Sequence, residues 1–198
     1  MLLAIDCGNT NTVFSIWDGE KFIGTWRTAT DWRRTADQYY VWLSSLMEFQ
    51  KIDVNITDVI VSSTVPRVVF NLRVLSDRYF NTRPIVVGKS DCKLPVEVRV
   101  DAGTAVGPDR LVNTVAGFDL YGGDLIMVDF GTATTFDVVD IDGAYVGVSS
   151  HRVSILALRH CTKRRLHYLT LIFLNPKLWL GPILLPVCNR VYFGVTSV

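Results

Sequence analysis

The chain has 198 residues, of which 49% are hydrophobic and 20% are charged. This composition is typical of a globular protein that buries one good core or two small ones, and it argues against a disordered chain. The 20 Lys and Arg residues nearly balance the 19 Asp and Glu residues, which leaves a net charge of +1. Bulk charge therefore indicates neither a nucleic-acid partner nor a membrane surface.

The charge is distributed unevenly along the chain. Residues 1–150 contain 13 basic and all 19 acidic residues, a net charge of −6, whereas residues 151–198 contain seven basic and no acidic residues. The four cysteines have neither metal-ligand nor redox spacing, which favours a reducing cytosol. No basic leader precedes the first apolar run, and no apolar stretch reaches membrane-spanning length. We therefore expect a cytoplasmic protein without a signal peptide or a membrane anchor.

The opening stretch, residues 2–16, reads LLAIDCGNTNTVFSI and predicts two strands joined by a short polar turn. Gly8 would let the backbone approach a ligand closely and adopt positive φ. Asp6, at the end of the first strand, could hold a hydrated cation beside bound phosphates. Four short side chains could donate to phosphate oxygens: Asn9, Thr10, Asn11 and Thr12. The same residues suit an ordinary hairpin, and this stretch alone does not decide between the two interpretations.

The next hundred residues alternate between strand and helix patterns. The segments are strands at residues 21–28, 59–63 and 84–87 and helices beginning at Thr35 and at Pro66. Gln38, three residues after Thr35, completes a capping-box pattern, and a proline is favoured in the first turn of a helix. The alternation indicates an α/β architecture.

The segment VGPDR, residues 106–110, predicts the start of a further helix. Gly107 and Pro108 suit the residue before a helix and its first position, which places Asp109 and Arg110 in the first turn. An acid and a base side by side there could face a substrate. Alternatively, Asp109 only compensates the helix dipole and Arg110 is a surface residue, and this segment alone favours that simpler interpretation.

Residues 124–137, DLIMVDFGTATTFD, repeat the design of the opening stretch. An apolar strand again ends in an acid, Asp129, and a turn with Gly131 and several threonines leads into a second apolar strand. One such copy is weak evidence, but two copies in one chain indicate paired homologous domains that clasp phosphates between them. The repeat therefore favours a nucleotide-binding cleft.

The three motifs IDCGNTNT, VGPDR and DFGTATTFD, in this order and spacing, resemble those of type III pantothenate kinases. This bacterial family belongs to the superfamily of actin, sugar kinases and heat-shock chaperones. The resemblance covers residues 1 to about 148 and implies an α/β, ribonuclease-H-like (actin-like ATPase) fold with two similar domains built on mixed sheets. We predict the first domain at residues 1–115 and the start of an incomplete second domain at residues 116–148.

The resemblance also implies an activity, the phosphorylation of pantothenate by ATP as the first step of coenzyme A biosynthesis. It implies that Asp109 is the general base, that a monovalent cation, potassium or ammonium, lies near Asp129, and that Asp6 orients Mg²⁺. The implied pantothenate contacts are Gly107, Pro108, Asp109 and Arg110. The implied ATP contacts are Asp6, Cys7, Gly8, Asn9, Thr10, Asn11, Thr12, Val13 and Thr132. A homodimer is implied as well. One departure is visible, because Val100 stands where many members carry a substrate-contacting tyrosine.

Residues 149–198, here called the tail, lose the family pattern and every acidic residue. Each tail residue can be written as its possible codons, and these can be read in the frame that starts at the third base. In that frame, residues 149–162 and 180–196 can encode family-like strings, including Gly-Thr-Asn-Thr. We therefore predict that the tail is out of frame. Residues 166–187 are apolar without helical or alternating period, which predicts poor packing. Two alternatives to the kinase stay open: a non-catalytic nucleotide-binding or transcription-regulatory protein on the same fold, and an inactive product of a disrupted gene.

Overall fold

The computed structural model of the chain describes residues 1–90, 92–130, 134–149 and 170–174. The chain divides into two compact units. The first contains Met1–Leu94 and Gly107–Asp109, and the second contains Pro95–Val106 and the described residues from Arg110 onward. Each unit is described by itself below. The domain boundaries expected at residues 115 and 148 stay predictions.

The first unit is built on a five-stranded mixed sheet. Its strands are β1 (Leu2–Cys7), β2 (Asn11–Trp17), β3 (Phe22–Ala29), β4 (Asp58–Ser63) and β5 (Ile85–Val86). The spatial order is β3-β2-β1-β4-β5, with β1 to β3 antiparallel and β4 and β5 continuing parallel to β1. This is the ribonuclease-H-like order. The central strand β1 is almost entirely buried, as its apolar sequence predicts.

Two helices, α1 (Ala36–Phe49) and α2 (Pro66–Tyr79), pack on this sheet. The predicted capping box is present, because the Thr35 hydroxyl accepts from the Gln38 N–H and the Gln38 side chain accepts from the Thr35 N–H. Pro66 occupies the first turn of α2, as predicted. The faces that reach the core carry Tyr39, Leu43, Val68, Leu72 and Leu75, each of them at most 1% exposed. Apolar spacing close to 3.6 residues thus positions both helices.

The second unit repeats the strand order of the first. Helix α3 (Pro108–Tyr121) precedes four strands: β6 (Leu125–Phe130), β7 (Thr134–Val139), β8 (Tyr145–Ser149) and β9 (Thr170–Leu174). The order is β8-β7-β6-β9, with β6 to β8 antiparallel and β9 parallel to β6. These strands correspond to β3-β2-β1-β4 of the first sheet. The predicted repeat and the predicted class, α/β with mixed sheets, are therefore confirmed.

Strand β9 lies in the tail and corrects one expectation. Residues 166–187 were expected to have no face that could dock on a core, but Thr170–Leu174 pairs with β6. Strands in parallel pairs typically have apolar runs rather than alternating patterns, so the lack of alternation did not exclude a strand at these residues. The other tail residues after Ser149 lie outside the described part. Among the described residues, no helix has both the length and the apolar character that a membrane crossing requires.

Candidate active site

The β1–β2 loop, residues 8–10, joins two antiparallel strands at the end of the first sheet. It is closed by a hydrogen bond of 3.0 Å from the Gly8 N–H to the Asn11 carbonyl. Asn9, Thr10 and Asn11 are exposed, so their polar groups can meet a ligand from solvent. The expectation of positive φ at Gly8 is wrong, because Gly8 is not among the glycines in that region. The three-residue loop closes without left-handed backbone there.

Thr30, directly after β3, makes hydrogen bonds to this loop. Its hydroxyl donates to the Gly8 carbonyl at 2.7 Å, and its N–H donates to the Thr10 carbonyl at 2.9 Å. The Thr12 hydroxyl lies 2.9 Å from that of Thr30, donates to Cys7 Sγ at 3.3 Å, and is fully buried. The Thr12 hydroxyl therefore does not reach a phosphate as expected. Cys7 is equally buried, so neither residue presents an exposed atom to a ligand.

Asp6 and Asp129 occupy equivalent positions in the two sheets. Each is the fifth residue of a six-residue strand, and each is half-buried. Asp6 pairs in register with Val13 and Asp129 with Thr135, both on the antiparallel neighbour. Mg²⁺ is usually bound by one or two carboxylates together with water and phosphate oxygens, and either position fits that donor set. The described residues contain no cluster of three or more potential metal-ligating side chains. Thr132 lies outside the described residues.

Asp109 lies in the first turn of α3, as predicted, and its Oδ1 atom is buried. No residue in the described part of the chain donates a hydrogen bond to this oxygen. A buried carboxylate oxygen without a partner is costly, and this atom can accept a hydrogen bond from a bound ligand. An acid that only compensates the helix dipole would need no such burial. A side chain at position 107 would collide with Asp109 Oδ1, so the carboxylate lies directly against Gly107.

Arg110, the next residue, is bound to a carboxylate that the sequence analysis missed. Its Nη1 atom donates to Asp137 Oδ1 at 2.6 Å, and the Tyr145 hydroxyl donates to the same oxygen at 2.8 Å. The interpretation of Arg110 as a plain surface residue is wrong, because its side chain is 25% exposed and that of Asp137 only 2%. The signal that could have identified Asp137 is its position two residues from Thr135 and from Val139, on the buried face of β7.

The environment of this group changes two pKa values. Burial raises the pKa of Tyr145 above its ordinary value, and the neighbouring Asp137 carboxylate raises it further. Burial alone would lower the pKa of Arg110, but Asp137 outweighs burial and the net direction is upward. Both residues therefore remain protonated donors toward Asp137 throughout the physiological range.

A cavity of about 510 Å³ opens beside Arg110 and Tyr145 in the second unit. Its other lining residues come from the segment before α3 and from β8: Arg99, Val100, Asp101, Thr104, Ala105, Val106, Val146 and Gly147. Arg99 is paired with Glu97, Asp140 and Asp142. The cavity therefore has charged and apolar walls and a size suited to a small ligand.

Residues 2–163 match the family model described as type III pantothenate kinase. The chain belongs to that family. It is 83% identical over 147 residues to the type III pantothenate kinase of Roseobacter denitrificans, which covers 74% of this chain and 57% of the relative. It is 73% identical over 163 residues to that of Ruegeria sp. strain TM1040, covering 81% of this chain and 63% of the relative. The chain thus spans about three fifths of the length of these relatives.

Among solved structures, the type II variant of the Aquifex aeolicus Ppx/GppA phosphatase has a TM-score of 0.45 and 14% identity to this chain, with 90% of this chain and 68% of that chain covered. This likeness supports no functional comparison. The structure shows where Val100 lies, the residue that replaces the tyrosine implied by the family resemblance. Val100 lines the 510 Å³ cavity, so the small side chain leaves room where the resemblance implies a tyrosine.

Proposed function

We propose that the protein phosphorylates pantothenate with ATP to give 4′-phosphopantothenate, the first step of coenzyme A biosynthesis. Membership of the type III pantothenate kinase family supports this choice of reaction. The observation that carries the proposal is the buried Oδ1 atom of Asp109, which accepts no hydrogen bond from the described residues. A general base needs such an unoccupied oxygen to accept a proton from its substrate.

Asp109 would act on the primary hydroxyl of pantothenate. The carboxylate takes the hydroxyl proton while the hydroxyl oxygen bonds to the γ-phosphorus of ATP and the bond to the ADP oxygen breaks. Gly107 makes this geometry possible, because any side chain there would displace the Asp109 carboxylate. Pro108 starts the helix and so fixes the turn that carries Asp109. Arg110 offers a permanent positive charge for the pantothenate carboxylate.

The β1–β2 loop would bind the phosphates of ATP. Its exposed residues Asn9, Thr10 and Asn11 offer side-chain and backbone donors, while Gly8 leaves room for close approach. The family resemblance assigns further ATP contacts to Cys7, Thr12, Val13 and Thr132. Asp6 would orient Mg²⁺, which offsets phosphate charge in the transition state. The same resemblance is the basis for proposing a cytoplasmic homodimer.

Turnover should require potassium or ammonium. The turn after Asp129 corresponds to the family's cation site, and a monovalent cation there offsets phosphate charge during transfer. The measurement is pantothenate-dependent ADP release in potassium, ammonium and sodium buffers of equal ionic strength. Equal rates in sodium alone would remove the cation from the proposal. Nucleotide binding without ADP release in any buffer would instead favour a non-catalytic nucleotide-binding protein.

Thr30→Val should raise the KM for ATP by about two- to tenfold, since losing a hydrogen bond costs about 0.5–1.5 kcal/mol and 1.4 kcal/mol is a factor of ten. The Thr30 hydroxyl supports Gly8 and Thr12, so its loss loosens the loop that meets ATP. Thr25→Val is the matched control. Thr25 lies within β3, and its hydroxyl donates to that of Ser15 rather than to the β1–β2 loop. Steady-state kinetics with ATP as the varied substrate test this. An unchanged KM for ATP would show that the loop does not depend on Thr30.

A further inference from the structure

Asp137 is a buried carboxylate that the proposed reaction does not use directly. Its side chain on β7 is 2% exposed, and one oxygen, Oδ1, accepts from both Arg110 Nη1 and the Tyr145 hydroxyl. A carboxylate is buried at such a cost that it normally has a charge partner and further donors. Here the charge partner stands at the wall of a cavity rather than in the core.

Arg110 uses only part of its hydrogen-bonding capacity. Within the described part of the chain, the partners of its guanidinium are limited to the Asp137 carboxylate, which accepts from Nη1, and the Tyr145 hydroxyl. A guanidinium has five N–H donors, so at least three remain for a ligand. Since a guanidinium is planar, fixing one nitrogen fixes the direction of the other donors, and such a fork matches a carboxylate with two parallel hydrogen bonds.

Tyr145 connects this ion pair to another segment that lines the cavity. Its hydroxyl donates to Asp137, while its N–H donates to the Glu97 carbonyl and its carbonyl accepts from the Arg99 N–H, both at 2.8 Å. One buried residue thus holds both the anchor of Arg110 and the segment that carries Arg99 and Val100. The position of Arg110 relative to that segment is fixed through Tyr145.

The two arginines of the cavity differ in how far their charge is neutralised. Among the described residues, Arg99 is paired with three carboxylates, those of Glu97, Asp140 and Asp142, whereas Arg110 is paired with one, that of Asp137. Asp101 also lines the cavity and would repel an anion that approached its side. A small anionic group therefore finds its best partner at Arg110.

We propose that Asp137 and Tyr145 are positioning residues that hold Arg110 so that its remaining N–H donors recognise the carboxylate of the acceptor alcohol. This inference rests on the proposed function and deepens it, because it assigns the selection of an acidic acceptor over a neutral one to a buried pair. Asp137 and Tyr145 act through Arg110 and not on the reacting hydroxyl.

The test uses the 198-residue chain and its variants Asp137→Asn and Tyr145→Phe. Steady-state kinetics are measured with pantothenate and with its neutral analogue, in which a hydroxymethyl group replaces the carboxylate. KM and the ratio of kcat/KM for the two acceptors are independent of the fraction of protein that is active. Asp119→Asn, the same change at an exposed position of α3, is the matched control.

We expect Asp137→Asn to raise the KM for pantothenate by about tenfold or more, since a bidentate pair with a carboxylate is lost or misdirected. The preference for pantothenate over the neutral analogue should fall by a similar factor, while the KM for ATP stays within about twofold, because Asp137 acts in this proposal only through the arginine that binds the acceptor. Tyr145→Phe keeps the ring and should shift the same two quantities in the same direction by less. It also carries the test if Asp137→Asn fails to fold.

A double-mutant cycle separates positioning from a merely structural role. If Asp137 acts through Arg110, Asp137→Asn should change acceptor preference little further in an Arg110→Lys background. A full additional effect in that background, or variants that leave KM and acceptor preference unchanged, would overturn the positioning role while the kinase proposal stands. A parent chain that releases no ADP in response to pantothenate would overturn both.

Discussion

Replacing Asp109 with asparagine should lower kcat for pantothenate phosphorylation by about 10²–10⁴-fold, the usual contribution of a positioned general base. Asparagine has nearly the same shape but cannot accept the hydroxyl proton. The Oδ1 atom of Asp109 is buried and accepts no hydrogen bond from the described residues, so the change removes no hydrogen bond at that atom. The fold should therefore survive while turnover is lost. The measurement is pantothenate-dependent ADP release at saturating ATP, with thermal unfolding recorded for the same samples.

Asp119→Asn is the control for this experiment because Asp119 lies on the same helix and is exposed. It should leave kcat unchanged. Gly107→Ala is an independent second arm, since the added methyl group would collide with the Asp109 carboxylate. It should also lower kcat, without removing any titratable group. Full turnover of Asp109→Asn would remove Asp109 from the role of base.

The chain as written should be less soluble, and should unfold less cooperatively, than a frame-restored form in which the codons after Val148 are read in the shifted frame. The tail carries seven basic residues and no acidic residue, and residues 166–187 have no helical or alternating period. Several apolar side chains of the second unit are exposed, among them Phe118 at 36% and Ile141 at 68%. Exposed apolar surface of this kind favours aggregation.

Soluble yield, thermal unfolding and ADP release, measured side by side for the two forms, test this expectation. We expect the written chain to show a lower yield, a broader transition and slower turnover. Strand β9 shows that the tail supplies a partner for β6, so the difference need not be complete unfolding. If the 198-residue chain is monodisperse, unfolds cooperatively and turns over as fast as the frame-restored form, then the tail folds as part of the protein and the out-of-frame hypothesis is wrong. The nucleotide sequence around the codons for residues 146–150 decides the frame directly.

The parts of the fold that sequence predicted are those with local signals. The Thr35 capping box, Pro66 and the Gly107-Pro108 pair each act within one turn of helix, so their consequences could be predicted from adjacent residues. The duplicated strand-acid-turn pattern predicted two similar domains, and the two sheets repeat the same strand order. Those predictions are confirmed because nothing distant competes with them.

The parts that sequence did not predict depend on contacts across the fold. Thr30 supports the β1–β2 loop from 22 residues away, and Asp137 meets Arg110 across 27 residues. Thr12 was expected to face phosphate, but strand pairing turns its hydroxyl toward Thr30 and Cys7. Which face of β2 or β7 is buried is set by register with neighbouring strands, and a single motif does not contain that information.

The most direct test of the proposed function is to identify the products formed by the purified chain with ATP, Mg²⁺, potassium and pantothenate. We predict that mass spectrometry finds 4′-phosphopantothenate and ADP in equal amounts, and that both are lost in Asp109→Asn but not in Asp119→Asn. ADP without phosphorylated pantothenate, or 4′-phosphopantothenate formed at an undiminished rate by Asp109→Asn, would contradict the account.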